Sequence, residues 1–192
     1  PDLAALDAPA IWAWLVGELR QAAASARHGF HLLTAATVGP DGRPDARTVV
    51  LRHVAADGRD VRFHSDVRSP KIRGLRADPR VALLWYDPAM RVQIRIAATA
   101  AVHHGDDLAR AAWSATQPMS RICYTRATAP GMPLASFADA EAADAGESGW
   151  EHFAVVACHF QAVEVLALHA TGHQRVRLDL TAEPVTRVVL AP

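Results

Sequence analysis

A chain of 192 residues, 51% of them hydrophobic, is long enough to bury a sizeable core, and with no Ser/Gly-rich linker it reads as one domain spanning 1–192. Its 20 Lys+Arg offset 20 Asp+Glu, so no global field draws in nucleic acid or an anionic membrane, and any anion site must be local. No run approaches the roughly 20 apolar residues that span a bilayer, the N-terminus lacks the features of a signal peptide, and Cys123 and Cys158 stand far apart, so a reduced, cytoplasmic protein without a disulfide framework is expected.

From Pro9 to Ala26, the residues Ile11, Trp12, Leu15, Val16, Leu19 and Ala22 recur at helical spacing behind a capping Asp7, which predicts an amphipathic helix within 1–30. Strands are predicted over His31–Val38, Ala46–Val54, Val61–Ser65, Val81–Tyr86 and Arg91–Val102, separated by Gly-Pro-Asp-Gly, Asp-Gly-Arg, a short Pro70–Ala77 helix and Asp87-Pro88. Five strands within 31–105 predict a meander or a barrel. Val61–Asp66 is expected to pair with the Arg47–Arg52 strand across the turn at Ala56-Asp57-Gly58. Segment 106–150 opens with a helix, Asp106–Ala115, and continues as a long loop with little core, Thr116–Gly149. Segment 151–192 supplies β structure over Phe153–Leu168 and His173–Leu180, and a last strand at Val188-Val189-Leu190.

Chemistry concentrates between Arg47 and Ile96. Ser69-Pro70-Lys71 puts a hydroxyl at an N-cap position, a proline at N1 and a lysine in the first turn, which suits an anion as well as an ordinary cap beside a solvated lysine. Arg47-Thr48-Val49-Val50-Leu51-Arg52 carries a guanidinium at each end of an apolar centre, and a guanidinium beside a buried strand needs an anionic partner. The two arginines differ in parity, so they leave opposite faces and serve different parts of a ligand. In Arg91-Val92-Gln93-Ile94-Arg95-Ile96 the apolar positions form a core face, and Gln93 either meets solvent or offers its amide to the polar edge of a heteroaromatic ring. His169 and His173 are four apart but interrupted by Gly172, so no metal is expected. No G-x-S-x-G, G-x-G-x-x-G or G-x-x-x-x-G-K-[ST] occurs, which excludes a nucleophile elbow and a glycine phosphate cradle.

The order and spacing of RTVVLR, FHSDVRSPK, DPRVALLWY and RVQIRI, followed by Phe153–Leu168, His173-Gln174-Arg175 and Leu190-Ala191-Pro192, resembles the pyridoxamine 5′-phosphate oxidase-like, FMN-binding split-barrel family. The resemblance implies an α+β fold built on an antiparallel six-stranded split β-barrel with flanking helices, and a homodimer binding FMN across its interface. It implies that Arg47, His64, Ser65, Ser69 and Lys71 surround the ribityl phosphate and that Val49, Val50 and Leu51 lie along the isoalloxazine. Gln93 and Arg175 would complete the flavin site, Arg175 from the second subunit. Arg52 stands where a lysine touches both cofactor and substrate, and His173 where a histidine contacts substrate, so these two are the candidates to position a substrate or steer a proton. Ser120 matches a substrate-phosphate serine, and Trp113 falls near a substrate-site tyrosine.

The chain also departs from the oxidases. Thr171 and Gln117 stand where phosphate-binding arginines are expected, and Pro70 replaces a second phosphate cation. A kept flavin site beside an eroded pyridoxamine-phosphate site implies an FMN-dependent oxidoreductase acting on a different small molecule. The alternatives are an authentic pyridoxamine 5′-phosphate oxidase, a non-catalytic flavin-binding protein, and the same barrel carrying haem or a deazaflavin.

Overall fold

The computed structural model describes residues 1–140 and 147–192. Helix α1 (Ala8–Ala24) starts where the Asp7 carboxylate accepts the Ala10 N–H at 2.8 Å, and it buries Ile11, Leu15 and Leu19 against the sheet. Nine strands follow: β1 (Leu32–Val38), β2 (Pro44–Val50), β3 (His53–Val54), β4 (Asp60–Asp66), β5 (Arg80–Asp87), β6 (Val92–His103), β7 (Phe153–Ala167), β8 (Gln174–Asp179) and β9 (Thr186–Leu190). Helix α2 (Pro70–Ala77) lies between β4 and β5, and α3 (Asp107–Ala115) and the single turn α4 (Pro118–Arg121) lie between β6 and β7. No helix among the described residues is long and apolar enough to cross a membrane.

All nine strands join one antiparallel sheet in the order β2-β1-β5-β6-β7-β4-β3, with β8 on β7 and β9 on β8. The expected six-stranded split barrel is its body: β2, β1, β5, β6, β7 and β4 curl until β2 and β4 come into contact without sharing a ladder. A register shift at Ala97/Ala98, opposite Phe160 to Ala162, helps the long β6–β7 pair to bend. Alternation puts Val61, Phe63, Leu83, Trp85, Ile94, Ile96, Val163 and Val165 inside the barrel.

Two expectations about the chain change here. The predicted Ala46–Val54 strand is broken at Leu51-Arg52, and its main part pairs with β1 rather than with β4; only His53 and Val54 pair with β4. The reason lies in neighbouring amides. Leu51 N–H donates to the His31 carbonyl at 2.9 Å on the β1 side, and Arg52 N–H donates to the Arg62 carbonyl at 2.8 Å on the β4 side. One peptide step thus bridges the two edges of the curled sheet. The predicted 116–149 loop also holds more structure than expected: α4, 3-10 turns at Ile122–Tyr124 and Glu147–His152, and a buried Tyr124. Its residues 141–146 lie outside the described ones.

The closure has a support behind it. Trp85, 1% exposed, donates its indole N–H to the Phe30 carbonyl at 3.1 Å, next to the His31 carbonyl that receives Leu51. Trp85→Phe leaves that carbonyl buried and unpaired and is expected to cost about 1–3 kcal/mol, and Trp85→Ala about 3–5 kcal/mol, in urea unfolding. A loss below about 0.5 kcal/mol for both would remove Trp85 from the support of the seam.

Candidate functional site

Strand β4 carries site residues on both faces. Val61, Phe63 and Ser65 point into the barrel, whereas Arg62 and His64 point outward.

On the inner side, Ser65 and Ser69 are 4% and 1% exposed and their hydroxyls lie 3.1 Å apart. Lys71 Nζ donates to both, at 3.0 Å to Ser65 and 3.3 Å to Ser69. Ser69 occupies the N-cap position of α2 as expected, but its hydroxyl makes no cap bond; it is turned to Ser65 and Lys71 instead. Helix α2 comes this close because Gly74 faces the Val38 carbonyl, where an added Cβ would sit only 2.8 Å from the oxygen. Arg47 reaches the same region from β2. Its guanidinium donates to the Ala35 carbonyl and to Thr37 Oγ1, both at 2.9 Å, and pairs with Asp45. Burial, and then the Arg47 charge, push the Lys71 ammonium below the ordinary lysine range, with Asp66 and Asp45 opposing. Four donor side chains from β2, β4 and the β4–α2 corner therefore converge with a cation that an arriving anion would stabilise, which fits a phosphate.

On the outer side, a cavity of about 450 Å³ lies between β3–β4 and α3. Its polar wall is Arg52, His53, Arg62 and His64, and α3 contributes Leu108, Ala111, Ala112 and Ala115. Gln117 and Ser120 line it beyond the helix. Three expected residues, Arg52, His64 and Ser120, thus line one cavity; His64, expected with Ser65 at the phosphate, is turned here instead because successive side chains of β4 leave opposite faces, and Arg47 and Arg52 also lie on opposite sides of the sheet. Trp113 lies behind the wall: it is 2% exposed and packs at ring distances of 5.0 Å on Phe153 and 6.0 Å on Tyr124. Burial, and then Arg52, push His64 down to about 4, and its ring packs edge-on at 4.7 Å to Phe153.

The remaining candidates lie elsewhere. Val49 and Leu51 are buried in the barrel and Val50 is half-buried on the opposite face. Gln93 is on the outer sheet face in the row Tyr86–Gln93–Leu166–Arg175. Arg175 is bound to Glu164 by two hydrogen bonds, and Glu164 also accepts two from Arg177. His173 is exposed in the β7–β8 turn, away from the cavity wall. Within the described residues, Gln93, Arg175 and His173 do not reach the serine–lysine cluster. Sequence reading missed Arg62 and Thr37. The alternation of Val61-Arg62-Phe63-His64 held the signal for Arg62, since it puts that arginine beside His64.

His64 also sets a stability dependence on pH. A histidine held near 4 stays neutral in the fold while the unfolded chain takes up a proton below its ordinary 6.5, so stability falls as pH drops from about 6.5 toward 4. The loss is expected to reach roughly 2–3 kcal/mol. Urea unfolding at about pH 7 and pH 4.5 should show a smaller loss in His64→Gln than in the parent chain, and equal losses would contradict the burial argument.

The sequence model described as pyridoxamine 5′-phosphate oxidase matches residues 19–147. Among curated relatives, the pyridoxine/pyridoxamine 5′-phosphate oxidase of Azorhizobium caulinodans is 36% identical over 100 residues, 52% of this chain and 45% of that one. That of Rubrobacter xylanophilus is 45% identical over 65 residues, 34% of this chain and 29% of that one. The chain thus matches less than half the length of these relatives. Among solved structures, a pyridoxamine 5′-phosphate oxidase-related, FMN binding protein from Nostoc punctiforme superposes with a TM-score of 0.78 at 24% identity, covering 94% of this chain and 97% of that one. PhzG from Burkholderia lata, solved with tetrahydrophenazine-1-carboxylic acid, gives 0.73 at 19% identity, covering 95% and 90%. These likenesses establish the fold as that of the FMN-binding split barrels, and the chain belongs to the pyridoxamine 5′-phosphate oxidase family.

Proposed function

We propose that this protein is an FMN-dependent oxidoreductase of the family, acting on a small molecule other than pyridoxamine 5′-phosphate. The observation that carries the reading is the convergence of Arg47, Ser65, Ser69 and Lys71, a donor set matched to a terminal phosphate. Those residues would hold the ribityl phosphate, and the Val49-Val50-Leu51 backbone would run along the isoalloxazine. When bound, FMN supplies the electron-transfer chemistry. The chain's own part is to fix the phosphate, orient the ring and shape the adjoining cavity, where Arg52 would position a substrate. Thr171 and Gln117 supply no cation where the oxidases are expected to use arginine, which disfavours the oxidase reaction.

We further propose a homodimer formed through the outer sheet face. Leu32, Leu84 and Tyr86 are exposed there by 53%, 39% and 49%, beside Ala36, Ala82 and Ala97. Gln93 and Arg175 share that face, so a second copy is what would bring them to a flavin whose phosphate sits elsewhere.

Lys71→Ala should weaken FMN by at least about tenfold in calorimetric titration while changing riboflavin affinity by less than about twofold, because only the phosphate contact is removed. Equal losses for both flavins would refute the phosphate assignment. Light scattering of the FMN-loaded protein should give a dimer, and Leu84→Arg should disperse it and weaken FMN. A monomer that still binds FMN stoichiometrically would refute the shared site.

A further inference from the structure

On the outer sheet face three guanidiniums share one carboxylate. Glu164 of β7 stands directly opposite Arg177 of β8, while Arg175, on the same face of β8, stands opposite Leu166 in the row that holds Gln93. Leucine offers a guanidinium nothing to bond, so Arg175 leans across to Glu164, a diagonal that long side chains span. The carboxylate is then used in full. Its Oε2 accepts from Arg175 Nε at 3.2 Å and Nη2 at 2.5 Å, and its Oε1 accepts from Arg177 Nε at 2.9 Å and Nη2 at 2.7 Å. Arg95 of β6 stands 3.8 Å from Oε2, so the cluster keeps a positive excess. Neither Arg175 nor Arg177 makes another hydrogen bond among the described residues, which leaves the Nη1 edge of each unused. The two arginine side chains are 26% and 54% exposed against 15% for Glu164, so the carboxylate is the buried anchor and the guanidiniums remain accessible.

We propose that Glu164 is a positioning residue of the flavin site, which fixes the Arg175 guanidinium by one edge so that its other edge meets the flavin ring bound by a second copy of this chain. This rests on the FMN-dependent, dimeric reading and adds to it the group that aims Arg175. Arg177 completes the device: by occupying Oε1 it leaves Oε2 to Arg175, with Arg95 beyond hydrogen-bond reach. Aiming and shielding have effects of opposite sign. Were Glu164 only a counter-charge, its removal would expose more positive charge, and anionic FMN would bind as well as before or better. If it sets direction, its removal releases Arg175 among its rotamers, and flavin binding weakens.

The test is calorimetric titration of FMN and of riboflavin into the parent protein, Glu164→Gln, Arg175→Met and the double variant. Glutamine keeps the shape of Glu164 but has a single acceptor oxygen, so it cannot hold both forks. Glu164→Gln should weaken FMN and riboflavin alike, by about fivefold or more, because a ring contact is disturbed and the phosphate contact is not. Adding Glu164→Gln to Arg175→Met should cost less than about a further twofold, since the first change acts through Arg175. The visible circular dichroism of the bound flavin should change in the same sense in both single variants. Should Glu164→Gln fail to fold, Glu164→Asp takes its place: it keeps the charge but falls one methylene short, and it should weaken both flavins by less than Arg175→Met does. The proposal is overturned if the Glu164 variant leaves flavin affinity unchanged or raises it, if FMN alone weakens, or if the losses at Glu164 and Arg175 add in full. Any of these results, with Arg175→Met still weakening a flavin that the parent dimer binds, leaves the FMN-dependent reading standing. A parent protein that takes up no flavin refutes that reading and this proposal together.

Discussion

The structure depends on one peptide step. Leu51 and Arg52 donate their N–H groups in opposite directions, one to the strand before and one to the strand after, and so tie together the two ends of a curled sheet. The β8–β9 pair keeps a free edge at β9, which pairs with β8 alone, whereas closure of the six-stranded body leaves only a short stretch where β2 and β4 touch without a ladder. Arg47, Ser65 and the start of α2 all border that stretch. Because side chains alternate along β4, the same strand puts Ser65 inside and Arg62 and His64 outside, so two separate groups of donors share one wall.

The donors differ in how their charge is held. Arg68 is paired one to one with Asp66, whereas Arg175 and Arg177 share the single carboxylate of Glu164. Arg47 is fixed by a carbonyl, a hydroxyl and the Asp45 carboxylate, which set its direction and pair its charge one to one. Lys71 has only hydroxyl partners and sits near Arg47, so its ammonium is disfavoured until an anion arrives. A chain with no net charge thereby keeps a local positive site, and local placement rather than total charge decides what it attracts.

Most elements were legible because their signals are short-range. The Pro70–Ala77 helix was read to the residue from Ser69-Pro70, and the β6 alternation from Val92 to Ile96 fixed both faces. The break at Leu51-Arg52 was not legible, since six consecutive strand-forming residues carry no mark of which neighbour each amide will choose; that choice is made by the curl of the whole sheet. The turned-in Ser69 hydroxyl was missed for a similar reason. Capping is the local default, and Ser65 and Lys71 outcompete it only once β4 and α2 meet. Trp113 shows the converse limit: its place in the chain pointed to a ligand contact, yet Tyr124, Trp150 and Phe153 enclose it in a second core. Arg62 went unremarked because one arginine on an amphipathic strand looks like a solvated one until a helix covers it.

The central claim is that the serine–lysine cluster receives the phosphate of FMN. Phosphorus-31 NMR of FMN mixed with the protein tests it most directly, because the signal comes from that group alone. The account predicts a bound resonance displaced from that of free FMN, and its loss when Ser65 and Lys71 are replaced together by Ala, with the fold retained by circular dichroism. A phosphate resonance that stays at the free position while the flavin absorption shows the ring to be bound would contradict it.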